Sequence, residues 1–356
     1  MYIFRFYRGK RVFVTGHTGF KGSWLVFLLR LCGAEVYGYA LPPRTPSLFS
    51  VIEGEKMCGQ TLADVADLSA LQSAFGAFRP EIVFHLAAQP LVSEGYNSPV
   101  STFATNTMGT VHLLECVRRC GSVRSVVNVT TDKVYRERPA SGAYRENDEL
   151  GGRDPYSASK SCSELAAFAY AQSYLQGQGK ALSCVRAGNA IGGGDFAENR
   201  IVPDCVRAAL RGEPVILRNP HAVRPYQHVL EPLFAYLTVA AMQAENASLA
   251  GCYNVGPAAE DCADTLRLAS LFCEFWPGAS YTVQTQAGAP HEAQRLLLDN
   301  TKIKEAFGIR PVWDVRTAVQ KTVEWTQAWR AGQSVKEVMR SQAEEYFAAA
   351  NKNCQA

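Results

Sequence analysis

The 356-residue chain lacks any strong imbalance of charge, with 36 Lys and Arg against 33 Asp and Glu. So small an excess gives no reason to invoke nucleic acid or a membrane surface as partner, and an anionic ligand must be met by a local pocket. No apolar run is long enough to span a membrane. The opening Met1-Tyr2-Ile3-Phe4-Arg5-Phe6-Tyr7-Arg8 is short and interrupted by arginine, so it reads neither as a signal segment nor as an anchor and is expected to pack beside the first strand. Internal repeats, low-complexity tracts and long like-charge runs are also missing. Cysteine is plentiful at 11, yet no Cys-x-x-Cys pair occurs, which argues against structural zinc and leaves no metal site expected. Cys116 and Cys120 share a helical face, while Cys32, Cys162, Cys184 and Cys273 lie in apolar runs and behave as small hydrophobes of a reducing, cytoplasmic compartment.

What is present is ample core material, 47% hydrophobic residues, arranged in alternation. Lys10–Thr15 reads as a buried strand, Ser23–Leu31 as a helix closed by Gly33, and Glu35–Ala40 as a second strand. The rhythm continues with a helix over Leu68–Phe78, a strand over Ile82–Leu86, a helix over Thr105–Cys120, a strand over Ser125–Thr130, a long helix over Pro155–Tyr174 and a strand over Leu182–Arg186. Strands alternating with helices predict an α/β fold with a doubly wound parallel sheet. Beyond residue 189 prolines and Gly192-Gly193-Gly194 break the rhythm, and Trp325–Phe347 reads as a closing helical region. The expected division is a dinucleotide-binding domain over 1–188 and a smaller C-terminal substrate-binding lobe over 189–356, with segments near 225–258 returning to the first domain.

Gly16-His17-Thr18-Gly19-Phe20-Lys21-Gly22 lies between the first strand and the first helix, where glycines let the backbone approach a pyrophosphate at a helix N-terminus. The carboxylate that usually ends the second strand to hold the ribose of NAD is absent; the stretch is Ala40-Leu41-Pro42-Pro43-Arg44-Thr45. Lys21 and Arg44 would tolerate a 2′-phosphate or be solvated surface charges, so NAD is expected with NADP left open. Asp64-Val65 stands where a third strand delivers a carboxylate toward the adenine edge.

Tyr156-Ser157-Ala158-Ser159-Lys160 sets a phenol and an ammonium one helical turn apart. An adjacent ammonium stabilises a phenolate, so the expectation is a tyrosine of lowered pKa that takes a proton from a sugar hydroxyl as hydride leaves for a nicotinamide. Thr130-Thr131-Asp132-Lys133 falls at the carboxyl end of a predicted strand, where the crevice of such sheets lies.

The glycine loop, His85-Leu86-Ala87-Ala88-Gln89, Thr131, and Tyr156 with Lys160 together resemble the extended short-chain dehydrogenase/reductases, the Rossmann family of NAD-dependent epimerases and dehydratases, over nearly the whole chain. The runs Gly16–Trp24, Val185–Asp195 and Arg224-Pro225-Tyr226-Gln227-His228-Val229 resemble its CDP-glucose 4,6-dehydratase branch, as does the lysine after Thr131-Asp132. The resemblance implies a lyase that removes water from a nucleotide sugar with internal hydride transfer through NAD. Catalytic roles would fall to Thr131, Asp132, Lys133, Tyr156 and Lys160, with Asp132 as acid and Lys133 as base, needing respectively a raised and a depressed pKa.

It also implies cofactor contacts from Gly16, Thr18, Gly19, Phe20, Lys21, Gly22, Asp64, Val65, Ala87, Ala88, Asn106, Tyr156 and Lys160. Substrate contacts would come from Gln89, Asn189, Arg200, Arg218, Arg224, His291 and Arg295, and the assembly would be a homodimer or a dimer of dimers paired through Thr105–Cys120 and Pro155–Tyr174. Ser93-Glu94 departs from the branch, which carries an arginine there, and Arg136–Ala143 lacks its tryptophans. A 4-epimerase or reductase on the same fold is the nearest alternative, a catalytically silent binder of nucleotide sugars a remoter one; the Asp132-Lys133 pair separates them, since epimerisation at carbon 4 needs no elimination acid or base.

Overall fold

Side chains in the predicted strands alternate between two apolar environments, and the architecture follows from that alternation. In the computed structural model, which describes residues 2–138, 142–284 and 296–353, seven strands form one parallel sheet. They are β1 (Arg11–Thr15), β2 (Glu35–Ala40), β3 (Gly59–Leu62), β4 (Ile82–His85), β5 (Ser125–Thr131), β6 (Ala181–Ala187) and β7 (Cys252–Val255), in the order β7-β6-β5-β4-β1-β2-β3. Val12, Val14, Phe84 and Val127 face a core shared with the helices Phe20–Leu31, Leu230–Glu245 and Val335–Asn353. Phe13, Val83 and Val126 face the opposite layer, built from Leu68–Phe78, Gly109–Arg119 and Pro155–Tyr170. The strand order reverses between β1 and β4, which opens a crevice at the carboxyl ends of the strands.

Aspartate side chains start the helices that matter. Asp67, Asp154, Asp264 and Asp314 each accept a bond from the backbone N–H three residues on. Such a cap is worth about 1 kcal/mol. Asp154 also precedes Pro155 at the first helical position, which fixes where the helix begins and so places Tyr156 in its first turn.

The smaller lobe has its own core, with Val202, Cys205, Leu217, Phe272 and Val319 among its members. Its strands are two- and three-residue pairings: 190–191 with 227–228, 223–224 with 263–264, and 215–217 with 281–283. The chain crosses back from this lobe to add the helix Leu230–Glu245 and β7 to the large sheet.

Four local details go beyond what the sequence indicated. The N-terminal segment is a helix, Tyr2–Tyr7, set against the helix Leu230–Glu245 through a Tyr7 hydroxyl bond of 2.8 Å to Leu237 O. The helix expected over Thr105–Cys120 opens with a wide turn, Ala104–Met108, because the Asn106 side chain reaches out to Gln89 and Ser159. The helix after Pro155 is regular to Tyr170 and then widens over Ala171–Leu175. The closing region is two helices, Val315–Arg330 and Val335–Asn353, separated by Gly332 at φ +68°.

Candidate active site

At the carboxyl end of β1 the chain turns through Gly16 at φ +74° and runs straight into the helix Phe20–Leu31. A Cβ on Gly16 would lie 2.7 Å from Ala87 N, and one on Gly22 would lie 2.1 Å from Gly16 O. Only glycine allows this closeness, so the loop lies tight on the end of β4, with Gly16 N donating to Tyr39 O at 2.8 Å and Gly19 N to Gly16 O at 3.1 Å. Thr15 Oγ1 secures the junction by accepting from Leu86 N and Ala87 N, each at 3.2 Å. His85 beneath it meets Thr15 Oγ1 at 2.7 Å and Thr110 Oγ1 at 3.1 Å, and burial pushes its imidazole down to about 3. Thr18 is anchored by a bond from its hydroxyl to Leu41 O. Asn106 bridges Gln89 N and Ser159 Oγ, both at 2.9 Å, and so ties the loop after β4 to the helix carrying Tyr156.

Two expectations about the loop's charges separate here. Arg44 is exposed, as a surface charge would be. Lys21 is not: it is enclosed near Arg200, Asp132, Lys160 and Lys133, and burial followed by the Arg200 charge pushes its ammonium down to about 8. Solvent exposure of its residue surface is intermediate, but its charged end faces the catalytic groups. The sequence position next to Gly22 showed its backbone setting and not this company. Asp64 is exposed beyond β3, its carboxylate capping its own turn at Ala66 N, and Val65 packs under Gly109.

β5 delivers the run expected to be catalytic. Thr131 ends the strand, and Asp132-Lys133-Val134 follow as one tight helical turn. Thr131 Oγ1 donates to Asp132 Oδ1 at 2.9 Å, and Lys133 Nζ reaches the same oxygen at 3.0 Å. Asp132 is 1% exposed, and its Oδ2 is buried with no hydrogen-bond partner among the described residues. Lys133 Nζ also lies 3.5 Å from Asn189 Oδ1, which brings the end of β6 to the cluster.

Tyr156 shares a side-chain hydrogen bond with Thr131, and its phenol is raised overall: burial outweighs the lowering by Lys133, the Thr131 bond and Arg200. The expectation of a lowered tyrosine is thus corrected. Lys160 donates to Val129 O at 3.0 Å, and burial pushes its ammonium down to about 8. The cation that acts most on Tyr156 is therefore Lys133. The expected depression of Lys133 is corrected too: burial works downward, but the Asp132 carboxylate and Tyr156 together raise it.

Arg200 is held by Asp195, Nη1 to Oδ2 at 3.2 Å, and its charge acts on both Tyr156 and Lys21. Arg224 is 2% exposed, donates to Val223 O, and its charge acts on Lys133. Gln89 spends its amide on Thr102 Oγ1 and Leu91 N. Arg218 is exposed directly after the strand 215–217. His291 and Arg295 lie outside the described residues.

A supporting network escaped sequence reasoning. Arg186 on β6 donates from Nε to both Glu164 oxygens at 2.9 Å and from Nη1 to Tyr135 OH at 2.8 Å, and Thr130 donates to Glu164 Oε1. This buried ion pair braces the strand end beneath Thr131, and nothing in the spacing of Glu164 and Arg186 along the chain announces it.

Comparison with known proteins fits this architecture. The sequence profile of a family described as GDP-mannose 4,6 dehydratase matches residues 13–322. The CDP-glucose 4,6-dehydratase of Salmonella typhimurium is 42% identical over 351 residues, covering 97% of this chain and 98% of that protein. The dTDP-glucose 4,6-dehydratase 1 of Escherichia coli is 27% identical, covering 88% of this chain and 92% of that protein. Among solved structures, Thermus thermophilus UDP-glucose 4-epimerase in complex with NAD superimposes with a TM-score of 0.77 at 30% identity, covering 89% of this chain and 99% of that one. Bacillus anthracis dTDP-glucose 4,6-dehydratase in complex with NAD shares the fold, with a TM-score of 0.75 at 21% identity, covering 92% of this chain and 100% of that one. On the profile match and the 42% identical relative, this chain belongs to the GDP-mannose 4,6 dehydratase family.

Proposed function

We propose that the protein is a nucleotide-sugar 4,6-dehydratase, a lyase that converts CDP-glucose to its 4-keto-6-deoxy derivative with NAD as resident cofactor. The observation that carries the reaction type is the contact among Thr131, Asp132, Lys133 and Tyr156 at the end of β5. Transfer of hydride at carbon 4 alone uses a tyrosine and a lysine; an acid and a base held against them serve an elimination. The cradle fits a dinucleotide, since a Cβ at Gly16 or Gly22 would fill the space the backbone uses to approach a pyrophosphate. Gly16, Gly19, Phe20 and Gly22 would hold the phosphates, with Asp64, Val65, Ala87 and Ala88 along the adenosine side and Asn106, Tyr156 and Lys160 near the reactive end. Bound there, the nicotinamide supplies a reversible hydride acceptor.

Tyr156 takes the proton of the carbon 4 hydroxyl, aided by Thr131. Oxidation at carbon 4 makes the carbon 5 proton acidic, and Lys133 removes it once its ammonium has been discharged. Asp132, once it has taken the proton that Lys133 gives up across their 3.0 Å contact, presents the unpartnered Oδ2 to the carbon 6 oxygen and protonates it as water leaves. Asn189, Arg200 and Arg224 stand on the sugar side, and the anionic pyrophosphate meets the enclosed cations Lys21 and Arg200. The choice of cytidine is supported by the 42% identical relative, named for CDP-glucose.

Residues 1–188 form the cofactor domain in this reading, joined by segments near 225–258 and the helix Val335–Asn353 that pack on the large sheet, and the rest of 189–356 forms the substrate lobe. Two copies pair through Gly109–Arg119 and Pro155–Tyr170; Leu165 and Phe168, 58% and 66% exposed, are large apolar side chains that a second copy would cover. No helix among the described residues is long and apolar enough to cross a membrane, and a cytoplasmic location is proposed with it.

The test is incubation of the purified protein with CDP-glucose and NAD, followed by mass spectrometry of the nucleotide sugar. Loss of one water without net consumption of NAD is expected. An unchanged mass with CDP-glucose, but loss of water from the dTDP, UDP or GDP sugar, would keep the reaction and replace the base; no loss from any of them would overturn the dehydratase.

A further inference from the structure

Beside the helix Pro155–Tyr170 lies a cavity of about 840 Å³ that none of the catalytic residues lines. Its wall carries Cys184 of β6 and Cys252 of β7 with Glu164 between the strands and the helix. The two cysteines are register partners in the parallel ladder, so both side chains leave the sheet on the same face. Neighbouring strands stand about 4.8 Å apart, within the span that disulfides bridge between Cα atoms. Their sulfurs already share a hydrogen bond and lie with a Glu164 oxygen inside 4.8 Å. Cys252 is the more accessible of the two, and the cavity gives a small reagent an approach to it.

A metal ion is the other occupant that such a trio suggests, and the chemistry of Glu164 argues against it. Both its oxygens are engaged by Arg186 and one also by Thr130, so a cation would have to displace a buried guanidinium and then sit beside it. A dithiol has no such conflict. The geometry points to Cys184 and Cys252 as a cross-strand dithiol, a modification site that a peroxide closes reversibly to a disulfide.

Cys252 is the attacking sulfur. The bond from the Cys184 thiol holds its pKa down against burial and the Glu164 carboxylate, with Arg186 and Lys302 acting in the same direction as that bond. Its thiolate attacks one peroxide oxygen, the O–O bond breaks, and the hydroxide released takes a proton to leave as water, giving a sulfenic acid. Cys184 then attacks that sulfur; the S–S bond forms, the S–O bond breaks, and the hydroxide leaves as water with the Cys184 proton. Two thiols are oxidised, one peroxide is reduced, and two waters form. In a reducing compartment the bond would be transient, as expected of a switchable site.

The experiment treats the reduced full-length protein with hydrogen peroxide, alkylates the remaining thiols, digests without reductant and reads the peptides by mass spectrometry. Peptides joined through Cys184 and Cys252 are expected, about 2 Da below the sum of their reduced masses, and separated again by dithiothreitol. In Cys184→Ser, checked for folding by its thermal transition, Cys252 should instead accumulate as a sulfenic acid trapped by dimedone. Recovery of both cysteines fully alkylated from peroxide-treated wild type, or their linkage to other cysteines, would overturn the assignment.

Discussion

Lys133 is asked for two opposite states, charged in the resting site and neutral when it takes a proton, and Asp132 sets the difficulty of the change. Asp132 raises Lys133, so the neutral form is scarce until the pH approaches that raised value, and solvent deuterium entry at carbon 5 of the 4-keto sugar should climb across the alkaline range. Asp132→Asn removes the partner charge and should move that climb to lower pH while slowing water loss about 100-fold or more. Lys133→Met should remove the exchange itself, by roughly 10²- to 10⁴-fold. Exchange rates against pH for wild type and both variants check this; equal exchange in wild type and Lys133→Met would remove Lys133 from the base role.

At the scale of elements, the strand-to-helix turn at residues 16–22 is the part most open to a single methyl group. Gly22→Ala places a Cβ 2.1 Å from Gly16 O, a backbone atom that cannot rotate away, so the turn must open and its close backbone approach is lost. NAD affinity measured by calorimetry should fall at least tenfold, equivalent to about 1.4 kcal/mol, with the far-ultraviolet spectrum unchanged; undiminished affinity would mean that the cofactor does not sit on this turn. The turn was legible from sequence because its glycines answer a local demand. So were β1, β2, β4, β5 and β6, whose alternation or continuous burial is written in neighbouring residues. The widening at Ala104–Met108 was not, because it depends on where Gln89 and Ser159 arrive in space. The two-residue strands of the small lobe escaped for the same reason, each being paired with a segment tens of residues away. In the site, residue types and strand-end positions pointed to residues that the fold brings together, whereas the protonation balance of Lys133 and Tyr156 emerges only from how deeply each is buried beside the other.

For the whole molecule, two features extend beyond any one element. Leu165 and Phe168 on the outer side of Pro155–Tyr170 would become solvent-exposed charges in Leu165→Glu/Phe168→Glu, and sedimentation should then show a monomer where wild type sediments as a dimer or larger; an unchanged assembly would place the interface elsewhere.

The second feature joins the sheet to the C-terminal helices through one carboxylate. Glu231 accepts from Val312 N at 3.0 Å, Trp313 N at 2.7 Å and Tyr346 OH at 2.7 Å, and burial, aided by Asp261, still lifts it to about 7 against those three bonds. The folded chain therefore binds this proton more tightly than the unfolded chain, whose glutamate titrates near 4.5, so this contribution to stability is whole below pH 4.5 and lost as pH rises to about 7. The loss amounts to about 3 kcal/mol at an equivalence of 1.36 kcal/mol per pH unit. His85 and His228, both buried and pushed down to about 3, act in the opposite sense by lowering stability as pH falls below 6.5. Their effect is common to wild type and Glu231→Gln and cancels in the difference. Urea unfolding at pH 5 and pH 8 should show Glu231→Gln gaining on wild type by about 2.5 kcal/mol between the two, because a glutamine accepts the same backbone bonds with no charge to bury. A difference that does not change with pH would mean that Glu231 ionises in the fold as readily as in the open chain, and that the link between sheet and C-terminal helices bears its charge without cost.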